Sequence, residues 1–220
     1  MAIDEERSSG WIDRLAGLYT PVVADVLDRL GYRDQAMRAD VRPLFPGART
    51  AGVARTVRTV KVHGVAPVEP YKGEMAAVDG LRSGDVMVVS ECDASFWGEL
   101  LSTAARYRGC RGVVIDGYTR DTRAIVALEF PVFCRGVHPA DSLGRIDVAE
   151  HDVPIRCGGV LVNPGDLILA DEDGIVAVPS PVAERALTLA EEKVRGENLV
   201  RRALSEGMSV TEAFRQYGVL

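Results

Sequence analysis

The chain has 220 residues, 47% of them hydrophobic and 26% charged, which is an ordinary globular composition. A net charge of −6 lacks the basic excess that a nucleic-acid surface requires, so no nucleic-acid partner is expected. No apolar run approaches the roughly 20 residues of a membrane span, and the acidic opening MAIDEERSSG has no apolar signal core. The expectation is a cytoplasmic protein with no membrane attachment.

In chain order, YTPVVADVLDRLG predicts a first helix, with Thr20 as N-cap, Pro21 in the first turn and Gly31 just past its end. Val23, Val26, Leu27 and Leu30 form its apolar stripe. GVARTVRTVKVHG is rich in β-branched residues and reads as a strand. GDVMVVSE is another, followed by a helix in GELLSTAARYRG, a strand in GVVIDG, a short helix in DTRAIVALEF and a strand in PVFCRG. Residues 84 to 135 thus alternate strand and helix, the pattern of parallel βαβ units. Residues 145 to 179 hold short strands split by GG, NPGD and DEDG, which suits antiparallel hairpins. From Pro181 the chain turns helical and charged, divided at Gly196 and Gly207. We read residues 1–220 as one α/β domain with a helical C-terminal extension over about 181–220. Cys92, Cys110, Cys134 and Cys157 lie far apart and make no CxxC pair, so buried, reduced thiols are expected.

VVIDGYTRD raises the functional question. A buried strand breaks at Asp116-Gly117 and delivers Arg120 beside Asp121. Ligands of open α/β sheets bind beyond the carboxyl ends of the strands. If VMVVSE and VVIDG are neighbours, the loop CDASFWG opens on the same edge and Gly98-Glu99 face Arg120-Asp121. A helix N-terminus with free N–H groups binds anions, and glycine lets a ligand approach. Arg120 offers a guanidinium fork for a carboxylate or enolate oxygen. Asp121 and Glu99 are hard oxygen ligands of the kind a divalent cation takes. An adjacent Arg-Asp pair is otherwise solvated surface, and Glu99 a favourable charge in a first helical turn.

Other residues invite less. His63, His138 and His151 have no metal-binding spacing. DEDG at 171–174 lacks a twelfth-position Glu, since Val182 stands there, so it reads as a hairpin turn rather than a calcium loop. Trp97 is either pocket wall or core. Gly158-Gly159 makes no dinucleotide site, and Asp116 is expected to hold its turn by local Asx-type bonding.

The segment FWGELLSTAARYRGCRGVVIDGYTRD, with FCRGVHPADSLGR and CGGVLVNPGDLILADEDGIVAVP, resembles the family that holds the regulator of ribonuclease activity A and the 4-hydroxy-4-methyl-2-oxoglutarate aldolases. The resemblance covers most of residues 15 to 220. Its aldolase signature is an acid, twenty residues, then Arg-Asp; here these are Glu99, residues 100 to 119, and Arg120-Asp121. It implies a layered β/β/α "swivelling" domain assembled as a homotrimer or hexamer. It also implies that Asp121 ligates a divalent metal (Mg²⁺ first, Mn²⁺ or Co²⁺ next) while Glu99 holds it through water. Arg120 then contacts the pyruvyl group of a small 2-oxo acid, and the backbone of Gly98, Glu99, Leu100 and Leu101 takes its carboxylate. Arg120 and Glu99 would be the catalytic pair, and Glu192 or Glu197 of a neighbouring subunit would reach the site. The implied activity is class II pyruvate aldolase, a lyase, with oxaloacetate decarboxylation beside it. The other role within the family is a non-catalytic regulator of a ribonuclease or helicase. Two positions depart from the family pattern: Glu at 99, where the aldolases have Asp, and Ala124, where some members carry an acid.

Overall fold

The computed structural model describes residues 5–62 and 69–219, with side chains from Gly10 onward; His63 lies outside them. The helices are α1 (Glu5–Ala16), α2 (Thr20–Arg29), α3 (Lys72–Asp79), α4 (Glu99–Tyr107), α5 (Thr122–Ala127), α6 (Ala183–Ser205) and α7 (Val210–Tyr217). The strands are β1 (Arg42–Pro43), β2 (Thr50–Lys61), β3 (Asp85–Val89), β4 (Ser95–Trp97), β5 (Gly112–Thr119) and β6 (Val132–Val137), then β7 (Ile146–His151), β8 (Ile155–Cys157), β9 (Val160–Val162), β10 (Leu167–Ala170) and β11 (Ile175–Val178).

The main sheet runs β1-β6-β5-β3-β2-β10-β11, with β4 paired to β5 and β7 to β2. Strands β3, β5 and β6 are mutually parallel, as the alternation over 84 to 135 predicts, and β2 joins them parallel to β3. β10 and β11 form the antiparallel hairpin expected around DEDG, with the Asp171 N–H donating to the Gly174 carbonyl at 3.0 Å.

Both faces of the sheet are covered, which is why β3 and β5 read as unbroken apolar runs instead of alternating ones. Met87, Val89, Val113 and Ile115 point to the side packed by α3, α4 and α5. Val86, Val88 and Val114 point to the opposite side, against Ile155, Cys157, Val160 and Val162 of the separate β8–β9 hairpin. Leu167, Leu169, Val176 and Val178 extend the helical side beneath α1, α2 and α6. Hairpin, sheet and helices are therefore three stacked layers, the β/β/α arrangement expected from the resemblance.

Several expectations need correcting. The strand after Arg111 does not end at Asp116. It continues to Thr119, with its register on β6 shifting between Ile115 and Tyr118. Asp116 does not bond its own turn. Its buried carboxylate accepts from Arg38 Nη2 and the Gly158 N–H, both at 2.8 Å, and lies 3.3 Å from Arg135 Nε. Two guanidiniums and a backbone N–H, brought from three distant segments, hold this part of the strand. The helix start moves by one residue: Tyr19 is the N-cap of α2, and Thr20 instead donates its hydroxyl to Asp171 at 2.6 Å. A helix, α1, precedes it, and α3 was not anticipated either. Gly196 lies inside α6, so only Gly207 separates the last two helices. All four cysteines are free and buried, and burial pushes the Cys110 and Cys134 thiols up to about 11. Among the described residues, no helix is long and apolar enough to cross a membrane.

Candidate active site

Parallel strands β3 and β5 lie side by side with Val89 opposite Ile115. The loop after β3 folds back as β4, which pairs with the far end of β5 at Tyr118 and Thr119. This pairing brings the start of α4 beside the end of β5. The Arg120 N–H donates to the Trp97 carbonyl at 3.0 Å, and the Thr119 hydroxyl donates to the same carbonyl at 3.1 Å. Trp97 is core: its ring is 1% exposed, lies near Phe130, and donates Nε1–H to Ser102 Oγ at 2.7 Å.

The sequence-predicted residues meet. Asp121 Oδ2 accepts the Glu99 N–H at 3.1 Å, so the carboxylate sits on the N-terminus of α4. A Cβ on Gly98 would stand 2.6 Å from that oxygen; only glycine allows this approach. Asp121 itself adopts the left-handed backbone at φ +58 as N-cap of α5, which aims its side chain back across the cleft. The Glu99 N–H is used by Asp121, while those of Leu100 and Leu101 have no intrachain acceptor among the described residues. The Glu99 carboxylate accepts the Thr103 hydroxyl at 2.7 Å, one turn along α4.

Arg120 is not merely paired with the acid beside it. Its Nε is 4.0 Å from Asp121 Oδ2, but its Nη2 is 3.3 Å from Asp141 Oδ1. The Arg120 and Asp121 side chains are 39% and 47% exposed, so both open to solvent from a fixed backbone. Tyr71, at the start of α3, donates its hydroxyl to Asp141 Oδ2 at 2.5 Å, which raises the phenol's pKa. One turn along α3, Glu74 is only 5% exposed. Burial pushes its carboxyl up to about 7, with Ser142 and Arg120 pulling the other way. A cavity of about 50 Å³, enough for a water, lies among Tyr71, Glu74, Ser142 and Asp147. Tyr71, Glu74 and Asp141 were missed in the sequence: EPYKGEM and HPADSLGR carry no spacing that ties them to Arg120.

Glu99 and Asp121 are two hard carboxylates on one edge. Among the described residues, no group of three or more His, Cys, Asp or Glu stands ready to hold a metal. That donor set fits a cation that keeps most of its water and takes one or two carboxylates, as Mg²⁺ does, and not a fully protein-ligated zinc. His138 and His151 are engaged elsewhere, with the Ala140 N–H and with Asp152. Glu197 accepts from Tyr19 and pairs with Lys193 at 3.0 Å within its own chain, while Glu192 is exposed on α6.

The chain belongs to the RraA-like family, described as Aldolase/RraA, whose model matches residues 20–177. It is 31% identical over 207 residues to a protein of Halalkalibacterium halodurans named "Putative 4-hydroxy-4-methyl-2-oxoglutarate aldolase", covering 93% of each chain. An uncharacterized protein from Pseudomonas syringae pv. tomato superposes with a TM-score of 0.81 at 28% identity, covering 93% of this chain and 96% of that one. Streptomyces coelicolor RraAS2, titled an unusual member of the RNase ES inhibitor RraA protein family, superposes equally at 0.81 with 27% identity, covering 91% and 99%.

Proposed function

We propose that this protein is a divalent-metal-dependent aldolase that cleaves small 4-hydroxy-2-oxo acids to pyruvate and also decarboxylates oxaloacetate. The observation that carries the reading is the meeting of Arg120, Asp121 and the α4 N-terminus on one solvent-open edge. The likeness to a relative named as an aldolase supports it.

The substrate's carboxylate would take the Leu100 and Leu101 N–H groups, where the helix end favours an anion. Its ketone oxygen would face the Arg120 guanidinium. In aldol cleavage the 4-hydroxyl passes its proton to water, the C3–C4 pair flows into the pyruvate enolate as C4 becomes a carbonyl carbon, and C3 then takes a proton from water. In decarboxylation the same enolate forms as carbon dioxide leaves. Arg120 faces the oxygen that becomes anionic, so its charge acts more strongly on the transition state than on the ground state. Asp121 directly and Glu99 through water would hold the divalent cation, which when bound supplies Lewis-acid polarisation of the ketone. Mg²⁺ is the first choice, with Mn²⁺ or Co²⁺ behind it.

We further propose a cytoplasmic homotrimer or hexamer. Leu100 and Tyr107, 78% and 92% exposed on the outer side of α4, support burial of that face by another subunit. The second reading, a non-catalytic regulator that binds a ribonuclease, rests on the equal likeness to RraAS2. Pyruvate release from oxaloacetate, with and without EDTA, separates the two. Metal-dependent release that Asp121→Asn abolishes supports the aldolase. The absence of release at any divalent metal would leave the regulator.

A further inference from the structure

We infer that Asp141 is the positioning residue of Arg120, and that the Tyr71 hydroxyl fixes the orientation of the Asp141 carboxylate. The inference rests on the proposed role of Arg120 at the substrate.

A guanidinium on a flexible stem that opens to solvent has many rotamers, and only a few deliver its fork to a substrate oxygen. Asp121, the adjacent acid, does not restrain it well, at 4.0 Å from Nε. Asp141 is closer, with Oδ1 at 3.3 Å from Nη2. Both of its oxygens are held. Oδ1 also accepts the Ser142 N–H at 2.8 Å, and Oδ2 accepts the Tyr71 hydroxyl at 2.5 Å.

The elements that carry these groups are themselves pinned. The Ser95 N–H of β4 donates to the Ala140 carbonyl at 3.0 Å, and the Ser95 hydroxyl donates to the His138 carbonyl. The segment before Asp141 is therefore tied to the strand that also anchors Arg120. Tyr71 sits at φ +60, a left-handed conformation that a bulky aromatic residue adopts only where its surroundings impose it. Such outliers gather at functional sites. Two residues on, a Cβ on Gly73 would stand 2.5 Å from Val148 Cβ, so the first turn of α3 lies hard against β7. Tyr71 is thus presented to Asp141 from a rigid base, and the order of action runs from Tyr71 to Asp141 to Arg120.

The test combines kinetics with a readout that needs no turnover. With saturating Mg²⁺, Asp141→Asn should lower kcat for oxaloacetate decarboxylation by roughly ten- to a hundredfold, the scale of a misplaced catalytic group. Tyr71→Phe, which keeps the ring and removes only the hydroxyl, should lower it less, and Asp141→Glu should recover part of the loss. Because Asp141 acts through Arg120, the double variant Arg120→Ala/Asp141→Asn should be no slower than Arg120→Ala alone. A further multiplicative loss would overturn the inference. In ¹⁵N-labelled protein the Arg120 Nε–H resonance, identified by its loss in Arg120→Ala, should shift and broaden in Asp141→Asn while the backbone spectrum stays native. An unmoved resonance would overturn the positioning role whatever the activity, whereas a wild type that releases no pyruvate would count against the aldolase reading alone.

Discussion

Glu74→Gln is a one-atom change with a calculable pH signature. In the unfolded chain this carboxyl titrates near 4.5; in the fold, burial pushes it up to about 7. A folded pKa above the unfolded one means that the folded chain holds the proton more tightly. The group's contribution to stability is therefore fully present below about pH 4.5 and is lost as the pH rises through about 7. At 1.36 kcal/mol per pH unit, the loss totals about 3 kcal/mol. The side chain is only 5% exposed, so solvent screening does little to reduce it. Glutamine keeps the shape and has no charge to desolvate. Urea unfolding of both proteins at equal concentration, from pH 5 to 8, measures the difference. The variant should match the wild type near pH 5 and exceed it by about 2–3 kcal/mol at pH 8. A stability difference that does not change across this range would refute the reasoning.

Arg120→Ala should cost about 3 kcal/mol of transition-state stabilisation, roughly a hundredfold in kcat, and Arg120→Lys should restore only part of it. Steady-state kinetics on oxaloacetate and on a 4-hydroxy-2-oxo acid checks that both activities fall together. Gly98→Ala should push Asp121 off the α4 N-terminus, because the new Cβ would lie 2.6 Å from Oδ2. Weaker Mg²⁺ dependence with an unchanged circular dichroism spectrum is the expected result. Asp116→Ala removes the carboxylate that Arg38, Arg135 and the Gly158 N–H share, and should cost about 1–3 kcal/mol in denaturant unfolding.

The βαβ run was legible because its elements depend on local signals: β-branched runs, a Gly98 start and a Gly109 stop, and turns made by Asp and Gly. Gly98, Glu99, Arg120 and Asp121 could be brought together on paper for the same reason, since two adjacent parallel strands put their loops on one edge. What failed depended on distant partners. Asp116 looks like a turn residue until Arg38, Arg135 and Gly158 arrive from elsewhere in the chain. Gly196 looks like a break, but α6 continues through it, with Lys193 buried between Asp25 and Glu197. Asp141 reads as an ordinary loop acid because its two distant partners, Tyr71 and Arg120, lie 70 and 21 positions away with no periodicity linking them.

The acidic turn between β10 and β11 ties together the two ends of the matched region. Asp171 accepts the Thr20 N–H at 2.8 Å and the Thr20 hydroxyl at 2.6 Å, while also accepting the Asp173 N–H at 3.0 Å. One carboxylate thus closes a helix and a hairpin separated by 151 positions. Neither the start of α2 nor the turn can loosen without releasing the other. Native-state amide exchange should therefore find Thr20 and Asp173 opening as a single cooperative unit, with one free energy and one denaturant dependence. Closing so wide a loop is entropically costly, so this clasp belongs to the late stages of folding, after the parallel strands have found one another.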